Sequence, residues 1–186
     1  MILNNCADFP SIDPKKLQVK IGDFKSNRCW CYVSQEIKEE LAQYAHFTIG
    51  IGGDGLSLCV NMETDNAVGQ FLRKAKSDRN ALLEILKKLD EDYFLEIYER
   101  APPPESPRLP HYKWEWYPLC RVYASYIDDD GLTFMIQQIE KLQHSAVRLY
   151  CVDYSRDNEI IYSPELVEDI FQRLKESQNF YGWVRQ

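Results

Sequence analysis

The sequence predicts an α+β fold: a single domain with a largely antiparallel β-sheet and three to four helices packed on one face. Three observations carry that expectation. Residues 46–63 alternate apolar and polar on either side of a glycine-rich turn, the signature of a β-hairpin. Several later segments place apolar residues at i, i+3, i+4 and i+7, the stripe of a helix lying on a core. The chain has 186 residues, 45% of them apolar and 27% charged, which suits one ordinary globular core and excludes a disordered or fibrous chain.

Residues 1–16, broken by Pro10 and Pro14, read as an extension ahead of a domain spanning 17–186. Two short strands are expected around Leu17–Phe24 and Arg28–Val33. Ser34 is a good helix N-cap, with Glu36 in the first turn and Ile37, Leu41 and Tyr44 as the stripe. In the hairpin, a two-residue loop at Gly53-Asp54 pairs Ile51 with Leu56, Ile49 with Leu58 and Phe47 with Val60, putting the large apolar residues on one face. A long helix follows from Thr64 or Asp65 to about Leu89, burying Val68, Phe71, Leu72, Ala75, Leu82, Leu86 and Leu89. Tyr93–Glu99 reads as a strand, and the segment APPPESPRLP, with five prolines, as a stiff exposed loop. Tyr112–Tyr126 is extended with a break at Pro118. Asp128–Gly131 leads into a helix with Leu132, Met135, Ile136, Ile139 and Leu142 inward. Ala146–Tyr154 is strand-like, and Ser163-Pro164-Glu165 starts a helix carrying Val167, Ile170, Phe171 and Leu174. The terminal Phe180, Tyr181 and Trp183 are expected to dock on the domain.

Gly50-Ile51-Gly52-Gly53-Asp54-Gly55 matches G-x-G-x-x-G, but a dinucleotide-binding loop must lead into a helix, and here an alternating strand follows. The match is a hairpin turn. The register then places Thr48 opposite Cys59 and His46 opposite Asn61 on the other face, with Glu63 nearby. His46, Cys59 and Glu63 are the candidates for a nucleophile with its base, or for metal ligands. The acids Asp54, Glu63, Glu96, Glu99 and Glu115 lack the acid-x-Lys spacing of a metal-dependent nuclease, and solvated strand acids are the plainer reading. Cys29 and Cys31 share a strand face but have no second ligand pair near them, so the six cysteines read as reduced thiols. No cofactor and no metal are expected.

Net charge is −7, which weighs against a nucleic-acid partner. Charge is uneven: residues 73–88 hold six basic and two acidic side chains, a local +4 against −11 elsewhere. Arg73, Lys74 and Lys76 could steer an anionic partner, although cations commonly line the wet side of a helix. The proline loop holds two P-x-x-P segments and Arg108. Behind it, Tyr112, Trp114 and Trp116 share one strand face, a pattern that is core when covered and a docking platform when open. No segment has the length and apolarity of a membrane span, and the N-terminus lacks the basic start and apolar run of a secretory signal. The expectation is a cytoplasmic, non-catalytic binding or accessory protein that meets a macromolecular partner, most simply a protein, through the aromatic strand and proline loop. The alternative is a hydrolase or metal-dependent nuclease built on the His/Cys/Glu or carboxylate set.

Overall fold

The structure, a computed structural model, describes residues 18–21, 28–34, 43–108, 110 and 115–185, the first two strands by their backbone. The expected extension over 1–16, the body of the helix expected after Ser34, and Tyr112 and Trp114 lie outside the described residues. Seven strands form one sheet: β1 (Gln18–Ile21), β2 (Arg28–Ser34), β3 (His46–Gly52), β4 (Gly55–Met62), β5 (Phe94–Ala101), β6 (Glu115–Tyr123) and β7 (Ser145–Ser155). Their order is β1-β2-β3-β4-β7-β5-β6, and every neighbouring pair is antiparallel. The last strand in sequence is therefore inserted between β4 and β5.

The β3–β4 register is the one expected from alternation: Ile51 opposite Leu56, Ile49 opposite Leu58, Phe47 opposite Val60. Gly55 closes the loop with φ at +143°, and a Cβ built there would stand 2.0 Å from the carbonyl oxygen of Tyr154 on β7. Only glycine fits that close approach. Phe47, Ile49, Leu58, Val60 and Met62 join Leu95, Ile97, Val147 and Leu149 in one apolar core beneath the helices. Ile51, near the hairpin tip, is an exception at 52% exposed. Pro118 falls on β6, an edge strand, where its missing N–H costs no ladder bond on the outer side. The register shifts beside it, leaving Leu119 as an extra residue between the partners of Ile97 and Tyr98.

Five α-helices lie among the described residues: α1 (Asp65–Ser77), α2 (Arg79–Leu86), α3 (Asp129–Lys141), α4 (Leu166–Glu176) and α5 (Gln178–Arg185). The helix expected from residue 65 to Leu89 is thus two helices, divided at Asp78 (φ −131°, ψ 45°). A partner distant in sequence accounts for the break: the Asp78 carboxylate accepts a 2.9 Å hydrogen bond from the indole Nε1–H of Trp183. The apolar stripe survives it, with Val68, Phe71, Ala75, Leu82, Leu86 and Leu89 all buried. Asp128 caps α3, its Oδ1 accepting from Gly131 N–H at 2.8 Å. Ser163 makes the capping turn before α4 by accepting from Glu165 N–H at 3.1 Å, but the helix itself begins at Leu166 and Val167 is 47% exposed rather than inward.

The C-terminal aromatics do dock, as helix α5. Phe47 and Tyr181 rings lie 4.6 Å apart, and Trp183 meets Phe71 edge-on at 6.3 Å. Lys74 donates to the Trp183 carbonyl and holds its ammonium 5.0 Å from the indole centre, which ties α1 to α5.

Candidate functional site

The helices and their apolar core occupy one face of the sheet. The other face carries a different chemistry, organised by strand register. Residues directly opposite one another share a face, so pairing across β3, β4, β7, β5 and β6 aligns His46, Asn61, Arg148, Glu96 and Arg121 in one row. The adjacent row is Thr48, Cys59, Tyr150, Phe94 and Tyr123. Both rows run across the strands, joining residues up to 102 positions apart in sequence, His46 with Arg148 and Thr48 with Tyr150.

Side-chain bonds link the first row almost end to end. His46 shares a 2.9 Å hydrogen bond through Nδ1 with the carbonyl of Tyr44. Its Nε2 stands 3.9 Å from Glu63 Oε1, and Glu63 Oε2 accepts from Asn61 Nδ2 at 3.0 Å. Arg148 Nε donates to Asn61 Oδ1 at 3.2 Å, and its Nη1 to the Tyr150 hydroxyl at 3.3 Å. The Tyr98 and Tyr150 hydroxyls are 2.8 Å apart, and Tyr98 donates to Glu96 Oε2. Glu96 Oε1 accepts from Arg121 Nε at 3.1 Å, and Arg121 also reaches Asp153 at 3.5 Å. Rings support both cations: Arg148 lies 4.3 Å over Tyr98 and Arg121 lies 4.0 Å over Phe94, which itself stacks on Tyr150 at 4.8 Å. His46, Thr48, Asn61 and Glu96 are all buried.

Around this network the sheet forms a concavity of about 600 Å³, its lining including Tyr98, Trp116, Arg121, Arg148, Tyr150 and Asp153. Its size is that of a small-ligand site, roughly 300–1,000 Å³. Trp116 packs against the buried group of Cys59, Phe94, Tyr98, Ala146 and Tyr150, with the Arg100 guanidinium 5.6 Å from its ring.

The geometry sorts the residues singled out from sequence. His46 and Glu63 meet at the end of the row, but Cys59 is enclosed, and burial pushes its thiol up to about 12. A thiol held protonated at neutral pH is a poor nucleophile and a poor metal ligand. Burial also lowers the His46 pKa, partly offset by the Tyr44 carbonyl and the Glu63 carboxylate, so its imidazole is neutral at pH 7. Among the described residues no three His, Cys, Asp or Glu side chains are placed to hold a metal ion. Arg108 is exposed on the proline loop. Arg73 is exposed on α1, Lys74 is committed to Trp183, and Lys76 pairs with Glu140. These three cations belong to the helix layer, so the fold does not bring them together with Trp116.

Arg148, Tyr98, Tyr150 and Arg121 were not singled out by sequence motifs. One signal was available: Arg148 interrupts the apolar run Ala146–Val152 and Glu96 the run Phe94–Tyr98, and a charge in that position must find a partner across the sheet. No protein-family model matches the chain, and no curated protein matches it. No helix among the described residues is long and apolar enough to cross a membrane.

Proposed function

We propose that this protein is a non-catalytic binding protein that meets a macromolecular partner, a protein, along β6 and the proline loop beside it. One observation carries the reading: the edge strand and its continuation leave large apolar side chains open, Leu119 at 50%, Tyr123 at 51% and Tyr126 at 67% exposed. Tyr123 and Tyr126 meet edge-on with ring centres 6.4 Å apart. Trp116, half-buried on the same strand, extends this aromatic margin toward the concavity, and exposed apolar surface of this kind marks interaction sites. Amphipathic Tyr and Trp rings are also the side chains that dominate protein interfaces. The enclosed, protonated Cys59 favours binding over nucleophilic chemistry. Free thiols at Cys59, Cys120 and Cys151 support a reducing compartment, the cytoplasm.

A comparative affinity capture tests this. The wild-type chain should retain a defined partner that a Leu119→Asp/Tyr126→Ser variant loses, while circular dichroism of the two stays the same. Equal retention by both would remove β6 as the docking edge.

A further inference from the structure

We infer that the concavity on the sheet face opposite the described helices is a binding site for a carboxylate borne on an apolar or aromatic body, with Arg148 as its anchor. A guanidinium is always charged and offers five N–H donors in a fixed fork. In Arg148, Nε is taken by Asn61 and Nη1 by the Tyr150 hydroxyl, while Nη2 has no partner among the described residues. Glu96 is its partner by strand register, but both Glu96 oxygens are already engaged, Oε1 by Arg121 and Oε2 by Tyr98. No other described carboxylate lies within ion-pairing reach of Arg148. A largely enclosed cation without its own counter-ion is costly, and an incoming carboxylate would supply both the charge and the missing acceptor.

The surroundings set the class of anion. Arg121 and Arg148 in the lining face three acids, Asp54, Glu115 and Asp153, so the wall as a whole carries one excess negative charge. A doubly charged phosphate is disfavoured there, whereas a single carboxylate meets one guanidinium edge. Trp116, half-buried in the lining, offers flat apolar surface for the rest of the ligand. A free aromatic acid and the C-terminus of a peptide both present this chemistry. The site needs no macromolecular partner, so its failure leaves the docking edge on β6 standing.

The test is saturation-transfer NMR, with tryptophan-fluorescence titration, on the full chain. Benzoate and indole-3-acetate are the free-acid probes, a phenylalanine-ended tripeptide and its C-terminal amide form the peptide arm, and inorganic phosphate is the contrast. At least one carboxylate probe should bind, and both Arg148→Met and Trp116→Ala should weaken it by about 10-fold or more. Binding by the free acids alone assigns a small-molecule acid, and binding by the tripeptide but not its amide assigns a chain terminus; each supports the site. No carboxylate bound by the wild type, binding unchanged in both variants, or phosphate bound as well as benzoate would each overturn it. Should Arg148→Met fail to fold, Trp116→Ala at the rim decides alone.

Discussion

Leu58 and Cys59 are adjacent in the chain and both buried, yet they serve different halves of the molecule. Leu58 points into the apolar core shared by the sheet and helices. Cys59 points to the opposite face, among Tyr150, Tyr98 and Phe94 and close to the Arg148 guanidinium and the carboxylates of Glu63, Asp153 and Glu96. Burial on the first face is stabilising by area alone, whereas on the second each polar group must also be matched by a partner. A sheet face that buries arginine, glutamate, histidine and asparagine side by side is a poor way to stabilise a fold. It is a good way to hold donors and rings in fixed positions, which is what recognition needs.

The widest difference should appear on truncation of that neighbouring pair. Leu58→Ala should cost about 3 kcal/mol, the usual price of an emptied leucine site in a closed core. Cys59→Ala removes a single sulfur and should cost about 1 kcal/mol. Urea unfolding monitored by circular dichroism measures both, and equal losses would dissolve the distinction between the faces. A smaller effect separates them by pH. Because burial holds the His46 pKa below its ordinary 6.5, the unfolded chain binds a proton that the folded chain refuses. The contribution of neutral His46 is therefore full above pH 6.5 and is lost as pH falls toward the lowered folded value. His46→Gln should flatten this part of the profile of melting temperature against pH, and an unchanged slope would show that another group controls it. The least perturbing probe is thiol reactivity. Burial raises Cys59 and Cys151 to about 12, and Cys120 is raised but stands partly open on β6. Brief maleimide treatment followed by peptide mapping should find Cys120 modified well before the other two. Early modification of Cys59 would mean that the sheet face opposite the described helices opens readily.

The parts of this architecture that were legible in the sequence are those written by neighbours. The β3–β4 register followed from alternation plus one glycine-rich turn, and the α3 stripe from local spacing after the turn at Asp128–Gly131. The break at Asp78 was hidden because its cause, Trp183, lies 105 residues away. For the site, His46 with Glu63 came from a single hairpin and so was within reach. The row through Arg148, Glu96 and Arg121 depends on β7 lying between β4 and β5, which no local pattern encodes. Val167 faced outward for a similar reason: periodicity finds a stripe, but the packing partner decides how much of it is covered.

That insertion of β7 has a consequence for how the chain acquires its shape. During synthesis the strands β1 to β4 can pair in sequence, and β5 can pair with β6, but these are two separate sheets with nothing to join them. Residues 145–155 act as the keystone, forming one ladder with β4 and another with β5. Until then both halves expose an unpaired strand edge, and the polar row that spans them does not exist. Folding is thereby made to wait for long-range contacts, and the same late step that completes the sheet creates the cavity.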